Sequence, residues 1–166
     1  MKQTVPTLAI LALAAALIAG CGSSGGNEAG YGGTTTSKPP APSTSEGTIV
    51  SVTTVPGVGR VLVSSEGLTL YDFHADSGGK SACYGACAKA WPPLSTDSAP
   101  QPSNGVIAAK LGTSRRKDGT LQVTYAGHPL YLYAADAKPG DAKGNDVSSF
   151  GGQWYALQPN GEEAGG

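Results

Sequence analysis

The sequence has little charge. Asp, Glu, Lys and Arg make up 14 % of it and balance to a net −1, where about 25 % is usual. No basic surplus is available to neutralise a phosphate backbone, which excludes a nucleic-acid-binding class. Apolar residues are also scarce, at 39 %, and no run reaches the ~20 residues of a comfortable membrane span. Met occurs once and His twice, so metal ligands of these kinds are few. Within residues 47–160 no Ser stands in a Gly-x-Ser-x-Gly elbow, and no other catalytic motif is present. The composition therefore points away from an enzyme. What the 166 residues do hold is 25 Gly and 12 Pro. The Gly have no three-residue period, which excludes collagen, and so many helix breakers exclude a long helical bundle. One modest β-rich domain plus a low-complexity segment remains.

Residues 1–20 predict an address rather than a fold. Lys2 supplies positive charge, and Leu8–Ala19 is apolar and uncharged, the pattern of a secretory signal peptide. Ile18-Ala19-Gly20-Cys21 resembles a bacterial lipobox, in which small residues let a peptidase close on the backbone and the Cys thiol carries a diacylglycerol. Lipidation of Cys21 predicts a mature protein beginning there, held by two or three acyl chains, since one chain binds only marginally. Its expected place is the outer face of a bacterial cytoplasmic membrane or the cell envelope, and its expected partners are the membrane and an unidentified envelope ligand. In residues 22–46, 18 of 25 are Gly, Ser, Thr or Pro. With almost nothing to bury they predict a disordered tether spanning about 25–30 Å.

From residue 47 to about 160 the composition becomes globular, and 161–166 reads as a disordered tail. Val61–Asp76 aligns on Leu121–Asp136 without gaps at an offset of 60, which marks an internal duplication. Repeat one covers about 60–95 and repeat two about 117–158. Each unit predicts a β-hairpin: Val61–Ser65 and Leu68–Phe73 around Gly67, then Leu121–Tyr125 and Leu130–Tyr133 around Gly127. Alternation puts Tyr71 and Phe73 on one strand face and Asp72 on the other. Ile49–Val55 and Gln153–Leu157 predict further strands. One helix, Ala82–Trp91, is expected, capped by Ser81 and stopped by Pro92-Pro93. The fold class is thus mainly β: two hairpin repeats packed into one small domain with one short helix. The halves should pack on each other, with Tyr71, Phe73, Trp91, Tyr131, Tyr133 and Trp154 lining their interface or an aromatic groove that serves as the binding surface.

Tyr71-Asp-Phe-His-Ala-Asp76 and Tyr131-Leu-Tyr-Ala-Ala-Asp136 both read Y-x-[FWY]-x-x-D. With Ser81–Leu94 and Lys117–Asp141 they resemble the bacterial "secreted repeat of unknown function" lipoproteins over nearly all of residues 60–158. The resemblance implies export, lipidation and a repeat architecture, and it brings no activity, cofactor or catalytic residue.

With Cys21 lipidated, Cys83 and Cys87 remain, an even number for an oxidising compartment. Helical i and i+4 Cβ atoms lie about 5–6 Å apart and a disulfide wants ~3.5–4.5 Å. A bridge therefore requires a distorted first turn, which Gly85 makes easy. The alternative is a copper or thiol-redox site, with His74 and His128 as the metal partners, and two free thiols are the third reading. No cofactor is expected apart from that copper alternative. Asp76 and Asp136 read first as strand-ending turn acceptors and second as paired carboxylates facing the groove. Arg115-Arg116-Lys117 reads as a solvated basic turn.

Overall fold

A computed structural model describes residues 47–165. The signal peptide, Cys21 and the tether lie outside the described residues. Strands β1 (Ile49–Val55) and β2 (Gly59–Ser64) form an antiparallel hairpin, followed by the short β3 (Tyr71–Phe73). Helix α1 (Ala86–Ala90) and strands β4 (Ser95–Thr96) and β5 (Gln101–Pro102) connect to the second half. There β6 (Leu111–Arg115) pairs with β7 (Leu121–Tyr125), and β8 (His128–Pro129) folds back on β7. Finally β9 (Val147–Ser149) and β10 (Gly152–Ala156) pair antiparallel. Three small sheets result, ordered β2-β1-β5, β3-β10-β9 and β4-β7-β6.

The duplication is visible in the backbone. The β6–β7 turn uses Gly119, and the β7–β8 turn places both Ala126 (φ 51°) and Gly127 (φ 90°) in the left-handed region, as a two-residue hairpin turn requires. The expected second hairpin strands are cut short, and the cause lies in the other repeat. Tyr71 N–H donates to the Tyr131 carbonyl and Tyr131 N–H to the Tyr71 carbonyl, each at 2.9 Å. Each repeat's segment thus leaves its own hairpin to pair with its counterpart. β3 then adds to β10, with Phe73 opposite Trp154 and Asp72 opposite Tyr155.

Two further expectations are corrected. The helix begins at Ala86, not Ala82, because Gly85 adopts φ 59° and ψ −120° and breaks the first turn. Cys83 and Cys87 are bridged across that break, with Cα atoms 5.2 Å apart. Ser81 does not cap the helix. Residues 161–165 are not a disordered tail: Ala164 is buried, its N–H donates to the Ala156 carbonyl, and Glu163 bridges to Leu157. The folded domain extends to at least Gly165.

Two interior clusters hold the domain. One is aliphatic, with Val50, Leu62, Leu70, Leu94, Val123, Leu130 and Leu157 around Tyr125. The other is aromatic, with Tyr71, Phe73, Trp91, Tyr131 and Trp154 beside the disulfide.

Candidate functional site

The duplicated motif builds the interior. Phe73, Trp154, Trp91 and Tyr133 form one continuous stack: successive ring centroids lie 4.0, 4.0 and 4.1 Å apart, and the two Trp planes differ by 3°. The rings alternate between repeats one, two, one and two. Five of the six expected groove aromatics are at most 3 % exposed, and only Tyr133 is half-buried. The aromatic groove is therefore corrected. Rings this large remove more free energy from water by stacking on each other than by lining a surface, so the six residues form the interface between the halves.

The motif's Tyr and Asp are exchanged between repeats. Tyr71 Oη donates to Asp136 Oδ2 at 2.5 Å, and Tyr131 Oη to Asp76 Oδ2 at 2.7 Å. The other oxygen of each Asp accepts a backbone N–H, from Lys143 for Asp136 and from Ala82 for Asp76. The turn-acceptor reading of both Asp describes half of this arrangement, and the cross-repeat phenol is the half that one strand cannot show. Burial, followed by the nearby carboxylate, pushes the Tyr71 phenol far above its ordinary value, and burial does the same to Tyr131. Burial also raises the Asp76 carboxyl, against its hydrogen bonds from Ala82 and Tyr131.

The phenol shifts have a definite sign. An acid whose folded pKa exceeds its unfolded value contributes stability below the unfolded value and loses it as pH rises. Above pH ~10 the domain is expected to lose stability steadily. Tyr71 and Tyr131 should yield no phenolate absorbance until the fold opens. Parallel 295 nm and circular-dichroism titrations check this. Phenolate from both residues in a domain with intact dichroism would contradict it.

The basic triplet is also corrected. Arg116 is 5 % exposed, and its guanidinium donates to Ser81 Oγ, Gln122 Oε1 and the Cys83 carbonyl, at 2.8, 2.7 and 2.7 Å. The Ser81 hydroxyl also lies within hydrogen-bond distance of Tyr131 Oη, at 2.8 Å. A polar network thus runs from repeat two into the disulfide loop. The two sulfurs are bonded to each other, with Cys83 buried, so a thiolate copper site would first require reduction of the bridge.

The two His are gathered elsewhere. Asp72 and His74, two apart on and just past β3, share the face away from the aromatic stack. Glu163 arrives from the segment bridged to Leu157, and its Oε1 lies 2.5 Å from His74 Nε2. His128, on β8, places Nδ1 3.3 Å from Asp72 Oδ2. One ligand atom from each of Asp72, His74 and Glu163 lies within 4.8 Å of the others. Asp72 is 1 % exposed, and among the described residues neither carboxylate oxygen accepts a hydrogen bond. The His128 approach is at ion-pair distance without hydrogen-bond alignment, and this carboxylate raises the His128 imidazole above its usual value, against burial. Residue-by-residue reading did not select Asp72 or Glu163. The signal available was Asp72-Phe-His74 itself, an acid and an imidazole at strand period.

This geometry can be set beside known proteins. The family model described as "secreted repeat of unknown function" matches the chain twice, at residues 52–95 and 112–158, together more than half of its length. The chain belongs to that family. The two matches of the secreted repeat enclose every contact of the ring stack and of the exchanged Tyr–Asp pairs. They leave Glu163 outside. Comparison with curated proteins and with solved structures gives no match.

Proposed function

We propose that this secreted-repeat chain is a lipid-anchored, extracytoplasmic binding module without catalytic activity. The observation that carries the reading is Cys21, placed after Ile18-Ala19-Gly20 and ahead of a 25-residue tether rich in Gly, Ser, Thr and Pro. A disulfide-bridged domain suits the oxidising side of a membrane. The tether supplies reach, and the domain supplies a rigid, cross-braced body. Its binding face is the polar side of β3 around Asp72, because the aromatic set is committed to the interior.

Cys21→Ser is expected to move the protein from the membrane fraction to the soluble fraction and to abolish incorporation of a labelled fatty acid. Unchanged membrane fractionation and unchanged labelling would overturn the anchor.

A further inference from the structure

We propose that Asp72, His74, His128 and Glu163 form a site for one divalent transition-metal cation of the zinc class. The inference rests on the binding-module reading and names the ligand class.

Three donors lie together, Asp72 and His74 from β3 and its end and Glu163 from the segment after β10, and His128 on β8 adjoins them through Asp72. Zinc holds imidazole nitrogen and carboxylate oxygen at ~2.0–2.2 Å in a tetrahedron, which sets neighbouring donor atoms about 3.3 Å apart. Asp72 Oδ2 and His128 Nδ1 stand 3.3 Å apart, and the Asp72, His74 and Glu163 atoms lie within 4.8 Å of one another. The His74–Glu163 pair, at 2.5 Å, would open by less than an ångström to admit the ion.

The second observation is Asp72 itself. A carboxylate removed from water is normally hydrogen-bonded, paired or bound to metal; among the described residues neither oxygen of this buried one accepts a hydrogen bond, Oδ2 faces the His128 ring at ion-pair distance, and Oδ1 is left over. The His74 and Glu163 side chains remain 44 % and 35 % exposed and the His128 side chain 46 %, which gives a cation a path in.

The duplication supplies a control. At the offset of 60, Leu132 takes the place of Asp72 and Ala134 that of His74. The fold therefore needs neither the acid nor the imidazole at these positions. A bracing role would recur in both copies, as the Tyr–Asp pairs do, whereas Asp72 and His74 have no counterparts in repeat two. Two imidazoles among the donors favour zinc over calcium or magnesium, which take oxygen ligands.

The test uses the full mature protein in detergent, titrated with Zn2+ against a chromophoric chelator and melted with and without Zn2+. One equivalent should bind, and the melting temperature should rise. Asp72→Asn and Glu163→Gln should each weaken binding by at least about 10-fold. Asp72→Leu copies repeat two, so it should fold, melt no lower than wild type without zinc, and show no zinc-induced rise. The ring-nitrogen resonances of both His74 and His128 should shift on zinc addition. Absence of binding below about 100 µM zinc, or wild-type affinity in Asp72→Leu, would overturn the site. Calcium binding as tight as zinc binding would overturn the cation class. A chain that binds no zinc yet fractionates with membranes through Cys21 would remove the cation site alone. Zinc binding by soluble Cys21→Ser would support the site independently of the anchor.

Discussion

Trp154→Ala is expected to destabilise the domain by about 3–5 kcal/mol, the cost of deleting a buried aromatic. Trp154 is fully buried. Both of its faces are covered, by Phe73 and by Trp91 at 4.0 Å each, and the Tyr131 ring meets it at 84°. Its indole N–H donates to the Ser149 carbonyl. The gap left by alanine cannot collapse, because Phe73 is fixed in β3 and Trp91 lies between α1 and Pro92. A domain of this size holds only about 5–15 kcal/mol in total, so the variant should be partly unfolded at moderate temperature. Trp154→Phe keeps a ring in the stack and should cost less than half as much. Chemical denaturation followed by circular dichroism measures both. A Trp154→Ala midpoint close to wild type would show that the stack is not what joins the halves.

Asp136→Ala should be the second large loss, at roughly 2–5 kcal/mol, because it strands the buried Tyr71 hydroxyl and the part-buried Lys143 N–H, at up to about 1–3 kcal/mol each. The Tyr71 hydroxyl and the Lys143 N–H both end on this carboxylate, which is 6 % exposed. Asp76→Ala should cost less. Asp76 is only partly buried, and Tyr131 keeps a second partner in Ser81 Oγ at 2.8 Å. The near-symmetry of the repeats thus predicts an unequal pair of effects. In a double-mutant cycle, Tyr71→Phe with Asp136→Ala should cost clearly less than the two singles added together. Strict additivity would mean that the hydrogen bond contributes nothing.

Much of this fold was legible in the sequence, and what was missed has specific causes. Strand β1 runs over the residues expected for it, since a β-branched run ended by Pro56-Gly57 leaves little freedom. The bridge between Cys83 and Cys87 and the break at Gly85 were both readable from one spacing argument. The helix start was not, because the same Gly that permits the bridge removes the turn that Ser81 would have capped. Strand alternation correctly put Tyr71 and Phe73 on one face. It could not say whether that face met solvent or another ring stack, because the covering rings come from distant points in the chain, Trp91 after the helix and Tyr133 and Trp154 from the other repeat. The Tyr–Asp exchange was hidden for the same reason, as each motif looks complete when read alone. Three adjacent cations usually stand in solvent, and Arg116 does not. Its burial depends on acceptors at Ser81, Cys83 and Gln122 that no local pattern announces. Glu163 sits in an acidic, Gly-rich end with no local pattern, and what orders it is its pairing with Leu157.

The exchanged contacts also say what a single copy of the repeat is. One unit carries a phenol seeking a carboxylate, a carboxylate seeking a phenol, and two rings spaced to receive two more. Its best complement is itself, turned about a twofold axis, which is the geometry of an isologous dimer. The chain is in effect such a dimer whose subunits have been fused into one polypeptide. Once fused, the two copies no longer had to stay identical, and one of them was free to place Asp72 where the other keeps Leu132.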